Sequence, residues 1–376
     1  MSSSAPIKVG FVGLSASGWA ADILGPSLLE PSVRPKYDLV AISTTSPESA
    51  KASADKYEEK VGHTIKAYHG DTAKIANDPD VDFVAVAVKV SVHKQVILPV
   101  IEAGKNFFLE WPAGVSLKET QEIADAAKAK ELKTLVGLQG RHSRAVSKVK
   151  ELLAAGAIGR VHSTHVVAHL GRELIAWPPV VLERLVYLSK KDSGGTRLDI
   201  PIGHQLDTLT YLLGDFTSLV AIDSKQYPTG AFVDDTFKPT GETFPSEIPD
   251  HFAISGILSS GIIANLFYRG GNASGPETGR RQYLWEIDGE DGSIRLESDH
   301  IQGAAPSIIE PKLFLNGKEV VVEGGEKAGA LDSAATAWKE FADGKGNYAT
   351  IEDALKNKKL LSAIETSAKE GRRITL

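Results

Sequence analysis

Hydrophobic positions in the first 140 residues follow two alternating patterns. Short, nearly continuous apolar runs rich in β-branched residues predict buried strands at 7–13, 37–43, 81–88, 106–110 and 134–139. Between these runs, segments of helical character predict helices at 49–57, 72–77, 92–103 and 117–130. Strands that alternate with helices of this length form right-handed βαβ units. We therefore predict an α/β domain over residues 1–140, a Rossmann fold with a doubly wound parallel sheet.

The pattern changes after residue 159, where strand-like segments follow one another with few helices. We predict strands at 161–168, 217–223, 251–259, 261–269, 282–288 and 292–297. The turn pairs Asp291-Gly292 and Asn316-Gly317 favour antiparallel pairing. Helices are predicted at 203–213, 334–341 and 351–369, and a long loop at 228–249. Residues 141–376 therefore read as an α+β domain on a large, mostly antiparallel open sheet, for substrate binding and oligomerisation.

Composition narrows the class of protein. Apolar residues make up 42% of the chain and charged residues 24%, with a net charge of −6, which excludes wholesale disorder and gives no basic surplus for nucleic acid. No apolar run reaches the roughly 18 residues of a membrane span, and the first residues lack a secretory signal. We expect a soluble, cytoplasmic protein without nucleic-acid or membrane partners.

Metal and thiol chemistry are not expected. The chain contains no cysteine, which excludes disulfides, thiolate nucleophiles and Cys-based metal centres. His162, His165 and His169 cluster near a predicted strand, but no acidic residue stands at ligand spacing around them. We predict no metal site.

The turn after the first strand carries candidate cofactor chemistry. Gly13, Leu14, Ser15, Ala16, Ser17 and Gly18, followed by Trp19, resemble the dinucleotide fingerprint G-x-G-x-x-G with Ser15 in place of the middle glycine. Gly13 would make the tight turn and Gly18 would let the helix pack close to the strand. Ser15 still offers its backbone N–H and a hydroxyl to phosphate. The alternative is an ordinary strand–helix turn.

The end of the second strand bears on the choice of cofactor. NAD sites usually place Asp or Glu here to bind the ribose 2′-hydroxyl, whereas this chain has Ser43, Thr44 and Thr45. Hydroxyls without negative charge favour NADP, with NAD still possible. Lys51 is a candidate cation for the 2′-phosphate. A solvated polar loop is the alternative.

Several segments, in this order, resemble the Gfo/Idh/MocA family of oxidoreductases. They are Val9–Gly13, Asp82–Val86 with His93, Ala103-Gly104-Lys105, Glu110-Trp111-Pro112, Val136–Arg141, Gly156–Gly159, Gly194-Gly195 with Asp199 and His204–Asp207, and Ser367–Gly371. The glycine turn with Trp19 and the Glu110-Trp111 pair are most similar to a fungal branch that includes the galactose-regulon repressor. That repressor binds nucleotide and restrains a transcriptional activator.

The resemblance implies a catalytic set in which one member has changed. Enzymes of the family use the lysine of Glu-Lys-Pro to hold the substrate hydroxyl and help move its proton, and Trp111 stands in its place. An indole N–H only donates, so the proton carrier must be another group. His204 is the candidate, since imidazole titrates near neutrality. Asp199 would orient it, but lies five residues before it instead of the family's four, so Asp207 is an alternative partner.

The remaining candidates line the predicted cofactor site. They are Val88, His93, Glu110, Trp111, Gln139 and Arg141, with Lys89 placed to reach the cofactor. Arg141 would anchor substrate or phosphate, or else cap a helix at the surface. Trp111 and His204 each have a packing role as the alternative. A cis peptide at Trp111-Pro112 would direct the indole inward.

Two functions follow from these expectations. The first is an NAD(P)-dependent oxidoreductase that moves hydride between nicotinamide and a carbonyl, alcohol or imine carbon of a sugar or other small polar metabolite. The second is a non-catalytic, nucleotide-sensing regulator that resembles the galactose repressor. An exposed apolar sheet face needs to be covered, and the family resemblance implies face-to-face packing of these sheets between subunits, so in both cases we expect a homodimer or homotetramer.

Overall fold

The computed structural model describes residues 5–322 and 329–376 and divides the chain into two compact units. The first comprises residues 1–142 and 330–355, and the second comprises residues 143–329 and 356–376. The sequence analysis assigned 330–355 to the second domain. In the structure this segment packs with the first unit.

The helices and strands, in chain order, have the following bounds. The helices are α1 Gly25–Leu28, α2 Pro47–Val61, α3 Ala73–Ala76, α4 His93–Glu102, α5 Leu117–Ala129, α6 Arg144–Ala154, α7 Gly203–Leu213, α8 Ala330–Asp343 and α9 Ile351–Glu370. The strands are β1 Ile7–Val12, β2 Tyr37–Thr44, β3 Lys66–His69, β4 Phe83–Val86, β5 Asn106–Leu109, β6 Thr134–Val136, β7 Val161–Leu170, β8 Val180–Leu182, β9 Phe216–Ser224, β10 Thr229–Val233, β11 Pro239–Pro245, β12 His251–Leu258, β13 Ile263–Gly270, β14 Tyr283–Gly289, β15 Ser293–Ser298, β16 Lys312–Leu315, β17 Lys318–Val320 and β18 Ile374–Thr375.

The sheet of the first unit confirms the predicted Rossmann fold. Its six strands are parallel and lie in the order β3-β2-β1-β4-β5-β6. The order reverses at β1, which pairs with β2 on one side and β4 on the other. In such sheets ligands bind beyond the carboxyl ends of the strands at this reversal. The segments that follow β1, β2, β4 and β5 are therefore the ones to examine for chemistry.

An aromatic cluster explains why α8 packs with the first unit. The Trp338 ring contacts Tyr37, Phe83 and Phe108, with ring centroids 4.7 to 6.0 Å apart. Its indole N–H donates to Ser27 Oγ at 3.1 Å, and its backbone carbonyl accepts from Tyr37 at 2.8 Å. Trp338 is 1% exposed, so α8 completes the core over β2, β4 and β5. Burial of the large Trp338 side chain stabilises this contact, although α8 is far from β2, β4 and β5 in the sequence.

The large sheet of the second unit is mixed but mostly antiparallel, as predicted. Its nine strands lie in the order β17-β16-β15-β14-β7-β13-β12-β9-β18, and only the β7–β13 pair is parallel. One face is buried, and on that side Tyr283 donates to Gln205 of α7 at 2.7 Å. No helix in the described ranges has the length and apolar character that a membrane crossing needs.

The predicted loop at 228–249 is wrong, because the structure forms a hairpin there. Strands β10 and β11 pair with each other, and β10 also pairs with β8, in a separate three-stranded sheet. Pro239 and Pro245 begin and end β11, which lies at the edge of this sheet. Proline is tolerated on edge strands because their outer N–H groups need no partner strand. The prolines that suggested a loop therefore lie on an edge strand of this sheet.

Candidate functional site

The turn after β1 requires glycine at position 13. Gly13 has φ of 94°, and its N–H donates to the Ser43 carbonyl at 2.9 Å. A Cβ at this position would lie 2.2 Å from the Ala87 carbonyl oxygen and 2.8 Å from a Val88 methyl carbon. Leu14 is completely buried, so only its backbone is available to a ligand. The chain segments after β1 and β4 therefore lie so close together that there is no room for a side chain at position 13.

Gly18 has a different role from the one we predicted. It has φ of 93°, but a Cβ there would meet no atom within 4 Å. Glycine is needed at position 18 because the backbone is left-handed there, and not because a neighbouring group packs closely against it. Close packing is supplied by Gly25, whose Cβ would lie 2.2 Å from the Tyr57 hydroxyl. The loop between Gly13 and Gly18 is exposed at Ala16, and Ser15 donates its hydroxyl to the Ser17 carbonyl at 3.1 Å.

Two of the three candidate hydroxyls at the end of β2 are already buried or hydrogen-bonded within the protein. Ser43 is 1% exposed, and Thr44 donates to the Ser46 carbonyl at 3.3 Å. Thr45, the residue after β2, is exposed. Lys51, the candidate cation, binds both carboxylate oxygens of Asp55 at 2.9 Å along α2. Lys51 therefore pairs with a carboxylate of its own helix.

His93 hydrogen-bonds to the segments that follow two neighbouring strands, β4 and β5. Its Nδ1 lies 2.9 Å from the Pro112 carbonyl oxygen and its Nε2 lies 3.0 Å from that of Val88. Burial lowers the pKa of His93 to about 4, so the ring is neutral near pH 7. These contacts fix the segment after β4 against the turn after β5. The Trp111-Pro112 peptide in that turn is cis, and Trp111 is 4% exposed.

Glu110, directly after β5, has an unusual environment. Its Oε2 atom is buried and makes no hydrogen bond of proper geometry with the described residues, and the same holds for Nε1 of Trp19. A Cβ on Gly137 would lie 2.6 Å from the Glu110 carboxyl, so the absence of a side chain there makes room for it. Burial raises the pKa of Glu110 to about 8, against the opposing effects of the Trp111 backbone N–H and the Trp19 indole. Glu110 is therefore harder to ionise than an exposed carboxyl.

The segment after β6 supplies the last two candidates of the first unit. Gln139 is 5% exposed and begins a short 3-10 turn. The Arg141 guanidinium lies 3.2 Å from Asp353 in the first turn of α9, with 9% of its side chain exposed. The carboxylate partner gives Arg141 a structural role inside the first unit, and the pair lowers the pKa of Asp353 although burial opposes this.

In the second unit, Asp199 is held by Thr196 and Lys358. Its Oδ2 accepts hydrogen bonds from the Thr196 backbone N–H at 3.1 Å and the Thr196 hydroxyl at 2.7 Å. Its Oδ1 pairs with the Lys358 ammonium, and only 7% of the lysine side chain and 12% of the aspartate side chain are exposed. Lys358 was not found by sequence reasoning, because one lysine among several in a helix carries no signal of burial.

His204 is the second residue of α7 and is 8% exposed. Its Nδ1 is buried without a hydrogen-bond partner in the part of the chain that the structure describes. Burial lowers its pKa to about 4. The neighbouring Gly203 carbonyl accepts from Asn357 of α9 at 2.9 Å, and Asp207 on the same helix is 2% exposed. Adjacent residues of α9, Asn357 and Lys358, thus fix the segment that carries Asp199 and His204.

Comparison with known proteins identifies the family. Residues 7–138 match the model described as oxidoreductase family, NAD-binding Rossmann fold, and residues 145–298 match the Gal80p C-terminal domain. The chain is 30% identical to the dehydrogenase aclE of Aspergillus oryzae over 97% of both chains. It belongs to the Gfo/Idh/MocA oxidoreductase family. Within this family, it is 26% identical to the regulatory protein GAL80 of Saccharomyces cerevisiae over 79% of this chain and 68% of that protein.

Solved Gfo/Idh/MocA structures share the fold of this chain. A super-repressor mutant of Gal80p from Saccharomyces cerevisiae superposes with a TM-score of 0.86 at 22% identity, covering 99% of this chain and 98% of that chain. Levoglucosan dehydrogenase in complex with NADH and L-sorbose superposes with a TM-score of 0.76 at 19% identity, covering 99% of both chains. Both a regulator and a dehydrogenase are therefore built on this architecture.

The first unit fits the NAD(P) that this family binds. The glycine turn brings the backbone to the reversal of strand order, and two buried polar atoms there, Trp19 Nε1 and Glu110 Oε2, make no hydrogen bond of proper geometry with the described residues, although the indole acts on the carboxyl. Buried polar groups without partners are uncommon in native proteins and are explained where a ligand completes them. No cluster of His, Asp or Glu in the described ranges is arranged to hold a metal.

Proposed function

We propose that this protein is an NADP-dependent oxidoreductase. It moves hydride between nicotinamide and a carbonyl, alcohol or imine carbon of a sugar or other small polar metabolite. The observation that carries this proposal is the glycine turn at the reversal of strand order, together with two ionisable side chains, Glu110 and His204, each of which has one buried atom without a hydrogen bond of proper geometry in the described residues. Strong pKa shifts caused by burial are typical of sites that bind charge or move protons.

The residues after β1, β2, β4 and β5 would hold the cofactor. The backbone of Gly13 to Gly18 would contact the pyrophosphate, and Thr44 and Thr45 would face the ribose phosphate. The lack of a carboxylate at positions 43–46 supports NADP over NAD. The bound dinucleotide supplies or accepts hydride, and the protein provides its position and the proton.

The proton cannot pass through Trp111, and His204 is assigned this role. Burial keeps the His204 imidazole neutral near pH 7, so it is able to accept a proton when an alcohol is oxidised, and in carbonyl reduction it would take a proton from solvent and pass it to the new alkoxide; the lowered pKa makes the ring a weaker base than a free imidazole. Lys358 neutralises Asp199 within the second unit, so Asp199 acts on the position of the α7 segment more than on the charge of His204. Asp207 stays an alternative partner of the imidazole.

A substrate screen tests the proposed function. Wild-type protein is mixed with NADPH and a panel of sugar-derived and other polar carbonyl compounds, and the loss of nicotinamide absorbance is followed. We expect turnover with at least one compound, and a decrease of about 10²–10⁴-fold in His204→Ala with unchanged NADPH affinity. His162→Ala, an exposed histidine in the same unit, is the control. Full turnover by His204→Ala would reassign the proton carrier.

A regulator is the second candidate, and Trp111 favours it. The residue that moves the proton in family enzymes is missing, and the second unit matches the Gal80p C-terminal domain. In this case NADP would bind tightly without turnover, and pull-down experiments with and without NADP would recover a protein whose binding depends on the nucleotide. Turnover with any carbonyl compound would decide against this candidate.

A further inference from the structure

A row of basic side chains lies on the face of the nine-stranded sheet that is turned away from α7. Tyr283, which hydrogen-bonds to α7, is paired with Ala168, so the next residue of β7, His169, projects from the other face. His169 is paired with Arg269 of β13, and Arg269 is paired with His251 of β12. Because paired residues share a face of the sheet, these three side chains lie side by side.

Two members of this row have buried nitrogen atoms without a partner. His169 is 3% exposed, and its Nδ1 makes no hydrogen bond with the part of the chain that the structure describes. Arg269 is partly exposed, but its Nε is buried and makes no hydrogen bond with those residues either. Buried polar groups in native proteins normally have partners, so these nitrogens indicate a ligand that accepts hydrogen bonds.

The loop after β13 adds an arginine and a hydrogen-bond acceptor. Gln282 is completely buried opposite His169, whose backbone N–H donates to the Gln282 carbonyl at 2.8 Å. The side-chain amide nitrogen of Gln282 donates to the carbonyls of Ser274 and Arg280, both at 3.0 Å. These two bonds fix the orientation of the amide, and its Oε1 is buried without a donor among the described residues. A ligand that completes these contacts must therefore also donate a hydrogen bond.

The charges that act on the His169 ring among the described residues are all positive. Burial, together with Arg269, Arg280 and His251, lowers the pKa of His169 to about 4. Arg280 also acts on Arg269, so the two guanidinium groups repel each other. We call His169, Arg269 and Arg280 the basic cluster. An anion among these groups would relieve the repulsion and accept charge-assisted hydrogen bonds.

Carboxylates of the neighbouring segments have other partners. Asp250 lies 2.7 Å from Nδ1 of His251, and Glu173 accepts the backbone N–H and the hydroxyl of Ser274 at 3.1 and 2.6 Å. Glu277 of the loop is exposed, and within the described ranges neither this residue nor an arginine of the basic cluster forms an ion pair. The described part of the protein therefore leaves the basic cluster without a counter-charge.

The set of donors and acceptors matches one kind of anion. Arg269, Arg280 and Nδ1 of His169 are donors, whereas Oε1 of Gln282 is an acceptor. A tetrahedral oxyanion that keeps one proton offers three accepting oxygens and one hydroxyl. We propose that the basic cluster and Gln282 bind inorganic phosphate as the hydrogen phosphate ion. Sulfate has no proton at neutral pH, and an organic phosphate ester, whose second pKa is about 6, has mostly lost its own.

Calorimetry tests this site on the full chain without nucleotide. Inorganic phosphate is titrated into wild type, Arg269→Gln and Arg160→Gln at pH 7 and low ionic strength. Arg269→Gln should weaken phosphate binding at one site at least about tenfold, because it removes a charge-assisted hydrogen bond. Arg160→Gln removes the same charge from an exposed position about 30 Å away, at the other end of β7, and should bind as wild type. Phosphate bound at the proposed pyrophosphate position of the first unit would remain in both variants.

Two further ligands complete the test and need no variant. Sulfate and glycerol 3-phosphate should bind this site of wild type at least about tenfold more weakly than inorganic phosphate, because neither donates a hydrogen bond to Gln282. Equal or tighter binding of either ligand would overturn the proposal, and so would unchanged phosphate binding in Arg269→Gln. Absence of phosphate binding to wild type would also overturn it. A smaller oligomer of Arg269→Gln in sedimentation would then show that a second copy of the chain fills the basic cluster.

Discussion

At the scale of single residues, Asp199 makes most of the polar contacts of the second unit's candidate site. Its carboxylate binds Thr196 and the buried Lys358, and the adjacent Asn357 binds the carbonyl next to His204. A buried ion pair contributes modestly when intact, but losing one partner leaves an unpaired charge in a shielded environment. Lys358 is therefore important for the site, although the sequence analysis did not single it out.

The Lys358–Asp199 pair gives a stability prediction with an adjacent control. Lys358→Met should lower the free energy of unfolding by about 3–5 kcal/mol at pH 7, because Asp199 becomes a buried, unpaired carboxylate. Lys359→Met, at the next and exposed position, should change it by less than about 0.5 kcal/mol. Urea denaturation measures both values. Equal effects of the two substitutions would show that the pair does not stabilise the second unit.

Sequence reasoning proposed Glu110, Trp111, Asp199 and His204 as site residues but could not predict the environments of their side chains. Lys358 lies 159 residues after Asp199, and no periodicity connects positions so far apart. The space that Glu110 occupies depends on Gly137, and its pKa is affected by Trp19, and these two residues come from different parts of the first unit. Residue type is local information, whereas burial is set by the fold.

At the scale of elements, the glycine turn after β1 is the most constrained part of the first unit. Gly13 combines a left-handed backbone with a backbone contact that no Cβ can enter. Its role was predictable from the sequence because the turn lies directly between a strand and a helix. The role of Gly18 was not, because close packing in this turn falls to Gly25.

This difference predicts how the turn responds to substitution. Gly13→Ala should weaken NADPH binding by at least about 10²-fold, because a Cβ 2.2 Å from the Ala87 carbonyl must displace the turn. Gly62→Ala is a matched control, since Gly62 also has positive φ, 84°, but ends α2 with no atom near its Cβ. It should lose stability without losing affinity. NADPH fluorescence titration measures the affinity. Unchanged binding by Gly13→Ala would contradict the placement of the cofactor.

At the scale of the whole molecule, the open face of the nine-stranded sheet carries an apolar row. Paired positions on five adjacent strands form it, in the order Ile222, Ala253, Phe267, Val167 and Leu284. Ile222 is 68% exposed and Phe267 is 37% exposed. Exposed apolar rows on a flat sheet favour association.

We expect this face to join two copies of the chain. Sedimentation of wild type should give a dimer or tetramer, and Phe267→Asp should lower the mass to that of a monomer because a carboxylate cannot be buried in an apolar contact. Val321→Asp is the control, since Val321 is 87% exposed and follows β17, away from this row. A monomeric wild type at micromolar concentration would show that the face has another role.

Transfer of the hydride itself tests the account of an NADP-dependent oxidoreductase most directly. Wild-type protein is incubated with each of the two forms of NADPH that carry deuterium at C4 of the nicotinamide ring, together with a carbonyl substrate, and the product is analysed by mass spectrometry. We predict that one of the two forms delivers its deuterium to the former carbonyl carbon. NADPH that binds tightly but keeps both C4 hydrogens with every carbonyl compound offered would contradict the account.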